Sequence, residues 1–391
     1  MFRDHLKLKR IGYGALLGYA ATAPFSISLS QAFLAVDLLI VSLLWRSIPR
    51  EIRSAKMSWF YVGAAGYGLF TILSASFSQD PLESLIGCKN LLLLLIPIAA
   101  LLFLETSGQW WGFLGVFSIT TILASLYGIF QYYVLLGAAG ISTRAHGFFS
   151  IYMTYGQFLM LAGTFAMAVL LARTRPRRRA LAAVLWMTST AAMGLSFVRG
   201  AWVGMLAAFG VLLGLKKKRY LIVLPVALLM LVLLAPLSIF SRMMSIFSLH
   251  DQSNRDRIDL MQAGLRMVRD NPVLGVGPNM VSRVYLLYKA PGSFPRISPH
   301  LHNNLVQIAA ERGLIALLFW CLMLASFFHK TWRQLHDDTV TDESAIFITG
   351  SFVAVISFLV AGLFDFNFGD SEIVMAFLMT LSIPYGVDRK S

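Results

Sequence analysis

Three short stretches carry side chains that could do chemistry. Ser298 to Trp320 reads SPHLHNNLVQIAAERGLIALLFW, with His300, His302, Asn303 and Asn304 directly before a long apolar run. Histidine as a side chain titrates near neutrality, so it can take a proton from a hydroxyl. The plainer reading is a polar helix start that happens to contain histidine. Gln307 and Glu311 follow one and two turns later, a polar stripe beneath that start. The second stretch, GLSFVRGAWVG, leaves almost no loop around Arg199 between two apolar runs. An arginine there is costly unless paired or functional, or it snorkels to lipid headgroups. The third, SNRDRIDLMQAGLRMVRDNP, has Ile258, Met261, Leu265 and Val268 at helical spacing. Ser253 and Asp256 have capping-box spacing, and Asn271-Pro272 ends the helix. Arg257 falls in its first turn, where a guanidinium and the helix N-terminus together favour an anion.

The elements that must hold these residues are membrane helices. Of 391 residues, 57% are hydrophobic and 13% charged, far from the balance of a water-soluble domain. Candidate spans, apolar runs near the length that crosses a bilayer, lie near 11–29, 31–46, 57–76, 88–104, 110–136, 148–172, 180–198, 200–215, 220–240, 303–328, 344–364 and 371–387, of which 31–46 and 200–215 are short. The expected fold is therefore all-α, a polytopic integral membrane protein of about 12 transmembrane helices, with a helical external loop between the ninth and tenth. Residues 1–240 form the first nine spans, 241–302 the loop and 303–391 the last three, as one integrated domain. The strongly basic short loops, including ARTRPRRR and KKKR, all fall on one side if both termini are cytoplasmic. Arg199, His302 and the arginine-rich loop 241–302 then share the opposite face. Arginines on an external surface suit phosphate or diphosphate, or anionic lipid headgroups.

Other functions fit less well. The net charge of +14 follows from basic cytoplasmic loops, so nucleic acid is not an expected partner. Two cysteines, Cys88 and Cys321, far apart, make neither a disulfide framework nor a metal site. Gly275-Val276-Gly277 lacks the strand and acid of a nucleotide loop and reads as a turn that re-aims the chain. Tyr285, Tyr288 and Phe294 suit a sugar or lipid groove, or interfacial anchoring. Asp37, Glu311 and Arg312 lie within spans and need partners inside the bundle. A transporter would show internal repeats and a midplane site, which are not evident.

HNNLVQIAAERGLIAL resembles the hallmark of the bacterial O-antigen ligase and polymerase superfamily: a His-Asn pair opening a membrane helix, then Gln, then Glu-x-Gly. RIDLMQAGLRMVRDNPVLGVGPN is similar to the segment before it, with Met261 where the family often has tryptophan, and SFVRGAWVG resembles its arginine-bearing span junction. The resemblance runs from Ser196 to about Leu318 and is most like a ligase. It implies an enzyme of the inner membrane, active at the periplasmic face. Such enzymes move a glycan from undecaprenyl diphosphate to a sugar hydroxyl of lipid A-core. Polymerases and protein O-oligosaccharyltransferases of the superfamily are the alternatives. It implies His302 as the base, because His302 directly precedes Asn303, and Arg199 and Arg257 as diphosphate ligands. Arg255, His300, Asn303, Gln307 and Glu311 are possible supporting residues. No cofactor is expected. With no Asp-x-Asp pair and no external carboxylate cluster, a metal-independent, inverting transfer is expected, in which arginines neutralise the leaving diphosphate.

Overall fold

The computed structural model describes residues 2–45, 58–136, 144–223, 225, 237–245, 248, 250–293, 298 and 300–387. All regular structure in these residues is helical. In chain order come α1 (Phe2–Thr22), α2 (Ile27–Leu44), α3 (Ser58–Ser76), α4 (Pro81–Gly87), a 3-10 stretch (Cys88–Leu95) and α5 (Ile96–Phe103). Next are α6 (Ser107–Phe130), a π-helical turn (Gln131–Leu136), α7 (Tyr152–Leu170), α8 (Pro176–Leu195) and α9 (Arg199–Lys216). The loop region contains α10 (Leu237–Met244), α11 (Gln252–Asp270) and α12 (Val281–Tyr288). The chain closes with α13 (Asn304–Leu335), α14 (Asp342–Ala361) and α15 (Ser371–Gly386).

Among the described residues, seven segments are long and apolar enough to cross a membrane: α2, Pro81–Phe103, Ser107–Leu135, α7, α9, α13 and α14. The spans expected at 11–29, 57–76, 180–198 and 371–387 coincide with α1, α3, α8 and α15, which do not meet the same measure of length and hydropathy. Most of the ninth expected span, 220–240, lies outside the described residues.

Small residues let these helices approach closely. Gly63 of α3 faces the α13 backbone, where a Cβ would come within 2.6 Å of Met323 N. Gly204 of α9 faces α14, where a Cβ would come within 2.5 Å of the Ser357 carbonyl. α7 is buried along nearly its whole length and packs on α8, α9 and α14, which makes it the central helix against which the site is built.

Gly313 interrupts α13 at φ 82 and ψ 168. The carbonyls of Ala310 and Glu311, freed by the break, accept hydrogen bonds from Val276 N (2.8 Å) and Gly277 N (2.9 Å). Leu314 N donates to Pro272 O at 2.8 Å, and Ser74 Oγ donates to Glu311 O at 2.7 Å. Irregular backbone at membrane depth is tolerated only where protein satisfies it, and the VLGVGPN turn does so here. Its Gly275 and Gly277 have φ of 69 and 107, as a chain-reversing turn requires.

Three expectations need correction. Asp251, not Ser253, caps α11, its carboxylate accepting from Asn254 N at 3.2 Å. The helix starts earlier than its apolar periodicity suggests because an aspartate is available there. Tyr285 is fully buried in a small core with Leu260, Met267 and Met280, so it lines no groove; Phe294 lies outside the described residues. Asp37 is buried with neither carboxylate oxygen hydrogen-bonded among the described residues, whereas Glu311 and Arg312 pair with each other at 2.6 Å.

Candidate active site

His302 sits in the turn before α13 with φ 52, a left-handed backbone unusual for a residue with a Cβ. The two asparagines that follow hold it there. Asn303 caps α13, its side-chain oxygen accepting from Val306 N at 3.0 Å, while its Nδ2 donates to Leu363 O at 3.0 Å. Asn304 N donates to Gly362 O at 2.7 Å, its Nδ2 donates to Asn367 Oδ1 at 2.6 Å, and its Oδ1 accepts from Phe368 N at 3.2 Å. These bonds stitch the start of α13 to the turn between α14 and α15. Gln307 holds the preceding segment by accepting from Leu301 N at 2.6 Å.

The stitching brings Asp365 to His302, with Nδ1 and Oδ1 2.9 Å apart. Asp365 Oδ1 also accepts from Phe366 N at 2.9 Å, and Oδ2 accepts from Gln157 Nε2 of α7 at 2.8 Å. Burial pushes this carboxyl up, but the hydrogen bond and charge of His302, with the charge of Arg257, outweigh it and hold the group below the usual carboxylate range. An ionised carboxylate has no proton to give. The Nδ1 of His302 therefore carries the hydrogen in this pair, which in the neutral form of the ring leaves the lone pair on Nε2.

Beside Asp365 opens a cleft of about 370 Å³ lined by Arg144, Arg199, Arg242 and Arg257, with Asp251 and Asp365 as its acids. Arg199 opens α9 two residues after Phe197, another residue with positive φ, at 54. Only 4% of its side chain is exposed. Its Nη1 donates to Ser245 O (3.0 Å) and Ser245 Oγ (2.8 Å), and its Nη2 donates to Asp251 Oδ1 (3.1 Å) and Asn254 Oδ1 (2.9 Å). This arginine thus ties the end of α10 and the start of α11 to the bundle. Arg144 stacks over Tyr152 at 4.4 Å, and Arg242 lies 4.0 Å from Asp251.

Arg257 differs from the others. It reaches into the cleft from α11, and none of the described residues hydrogen-bonds its guanidinium. Burial, reinforced by Arg199, lowers its pKa against the opposing pull of Asp365. Even half-buried, a guanidinium without a hydrogen-bonded anion carries a desolvation cost, and four arginines against two aspartates leave the cleft net positive. The arrangement suits a dianionic group held beside a proton acceptor.

The two neighbouring candidates separate clearly. Arg255 is exposed and meets His250 Nδ1 at 2.9 Å, so Arg257 is the arginine of this pair that lines the cleft. The His300 ring lies 6.2 Å from that of His302 and faces a different cavity, shared with Glu311. Glu311 accepts from Asn279 N at 3.0 Å and so anchors the glycine turn rather than touching His302. Sequence reasoning missed Asp365, Gln157, Arg144, Arg242 and Tyr152. The orientation rule does place Asp365 in a short turn on the face of His302, where acids are scarce, and that was the available signal. Gln157 lies mid-helix and gave none.

Fold and site together define a helical membrane protein with a histidine–aspartate pair beside an anion-binding cleft at one end of its bundle. Residues 182–321 match the family model described as O-antigen ligase, and the match supports the O-antigen ligase superfamily, hence a membrane enzyme of the glycosyl-transfer type. The matched segment contains Arg199, Arg257 and His302; Gln157 and Asp365 lie outside it. No curated protein matches the chain.

Proposed function

We propose that the chain moves a glycan from undecaprenyl diphosphate to a sugar hydroxyl of lipid A-core, at the periplasmic face of a bacterial inner membrane with both termini cytoplasmic. The observation that carries this reading is Arg257, half-buried without a hydrogen-bond partner among the described residues, in a positive cleft next to His302. The cleft takes the diphosphate, with Arg257 free to bond it and Arg144, Arg199 and Arg242 supplying charge. The acceptor hydroxyl gives its proton to Nε2 of His302 while its oxygen bonds to the anomeric carbon. The bond from that carbon to the phosphate oxygen breaks, and the electron pair leaves with the diphosphate. Positive charge develops on the imidazole and is met by Asp365; negative charge develops on the diphosphate and is met by the arginines. A single displacement of this kind inverts the anomeric centre.

The test uses purified protein in detergent with carrier-linked glycan, lipid A-core and a metal chelator, read by a gel shift of the core. Formation of capped core with inverted linkage, lost in His302→Ala, supports the reading. Chain growth on the carrier instead would identify a polymerase, and no transfer by the unaltered protein would end the proposal.

A further inference from the structure

A second cavity lies across the turn that carries Asp365. We infer that it binds a sugar residue of the acceptor glycan, an inference that rests on the glycosyl-transfer reading above. Phe364 and Asp365 line the arginine cleft, whereas Phe366, next in the chain, lines this second cavity together with His300. The His300 ring lies 5.9 Å from Phe366 and 6.2 Å from the His302 ring. The turn that orients the base therefore forms a common wall between two chambers. A direct displacement needs its two ligands on opposite sides of the reacting carbon. With the diphosphate among the arginines, the second chamber, next to His300 and across the turn that orients His302, is left for the acceptor.

The chemistry of the cavity differs from that of the cleft. Glu83 and Glu311 stand against Arg312, so the cavity has no excess of positive charge, and a second strong anion would gain little there. Arg312 is held by Glu311 at 2.6 Å and lies 5.9 Å over the Tyr67 ring, leaving its buried Nε without a hydrogen-bond partner among the described residues. Asn90 and Ser282 add groups that both donate and accept, which matches the dual character of sugar hydroxyls. Tyr67 and Phe366 supply flat apolar faces for the C–H face of a pyranose. The volume, about 310 Å³, is at the small end of the roughly 300–1,000 Å³ of small-molecule sites, room for a terminal sugar rather than a whole oligosaccharide.

The test uses the full-length protein in detergent and, as probe, delipidated core oligosaccharide released from rough lipopolysaccharide, followed by saturation-transfer NMR at millimolar concentration. Binding of undecaprenyl diphosphate is measured in parallel. Ser282→Trp fills the cavity from α12, and Asn90→Ala removes one polar contact should the tryptophan variant fail to fold. The saccharide is expected to bind the unaltered protein and to lose about tenfold in affinity in either variant, the effect of one or two hydrogen bonds. Diphosphate affinity should stay unchanged. No saccharide binding by the unaltered protein, or variants that bind the saccharide as tightly as the unaltered protein, overturns the assignment. Loss of diphosphate binding by the unaltered protein, with saccharide binding intact, would instead sink the glycosyl-transfer reading and leave the cavity a saccharide site.

Discussion

Asp365→Asn tests the role assigned to the His302–Asp365 pair. The change keeps the shape of the side chain and removes its charge. If the new amide keeps its oxygen at the Oδ1 position, it still accepts from His302 Nδ1 and Phe366 N. Its NH2 then replaces Oδ2 and faces the Nε2 of Gln157, which must turn its amide over. If the amide instead turns its NH2 toward His302, Nδ1 must accept, Nε2 carries the hydrogen, and the lone pair needed for catalysis is gone. In the first arrangement the tautomer survives, but the imidazolium formed during transfer loses its counter-charge 2.9 Å away. Breaking a buried ion pair costs about 3–5 kcal/mol, and each 1.36 kcal/mol is a tenfold change in rate, so kcat is expected to fall on the order of 10²- to 10⁴-fold. The donor KM should hold or drop, because a carboxylate beside Arg257 has been removed. Steady-state kinetics with carrier-linked glycan and lipid A-core would read both constants, with thermal unfolding as the control. A folded variant whose kcat stays within about tenfold of the unaltered protein would refute the reasoning, since general base catalysis is worth about 10² or more.

Arg257→Ala removes a half-buried charge that lacks a hydrogen-bond partner among the described residues, so the unliganded fold should keep or raise its melting temperature. Affinity for undecaprenyl diphosphate should fall about 10- to 100-fold, the worth of one charge-assisted hydrogen bond of roughly 1.5–3 kcal/mol; a drop in stability with unchanged affinity would assign it a structural role. Gly313→Ala would put a Cβ 1.9 Å from Val273 O at a backbone conformation with φ 82. A destabilisation of about 3 kcal/mol or more is expected, and a melting temperature like that of the unaltered protein would contradict it. Asp370 accepts from Thr154 Oγ1 at 2.9 Å, yet burial, aided by the charges of Asp365 and Glu372, raises its pKa to about 7. Its ionisation therefore costs the folded state stability as pH rises from the ordinary carboxylate range near 4 to about 7. The melting temperature of Asp370→Asn should exceed that of the unaltered protein at pH 8 and match it near pH 4; a difference independent of pH would be the contrary result.

The spans were legible because bilayer thickness sets a length that composition alone can meet. Arg199, Arg257 and His302 were legible through local patterns that resemble a known family, and the structure gathers them at one end of the bundle. Asp365 was not, because its relation to His302 exists only once two asparagines have joined α13 to a turn far along the chain. Composition marked Tyr285 as one aromatic of the external loop but could not say what it faces, since residue type alone does not name the packing partner. The break at Gly313 was hidden for a similar reason: a glycine followed by twelve apolar residues reads as continuous helix until a second segment takes up the freed carbonyls. Arg199 was expected as an anion ligand, and its four bonds to Ser245, Asp251 and Asn254 show how much of its capacity the loop already uses.

The interrupted ladder of α13 bears on how parts of such chains can be exchanged. Pro272, Val276 and Gly277 supply or receive the bonds that the helix forgoes on either side of Gly313, and Val273 and Leu274 pack against that glycine. The stretch before the helix and the first turns of the helix are thus one hydrogen-bonded piece. A chimera that swapped the external segment at its apparent boundary, just before Asn303, would join mismatched halves and leave bare carbonyls at membrane depth. A graft carrying 272–314 as a block keeps every one of those bonds internal, and that is the unit in which acceptor preferences could be moved from one relative to another.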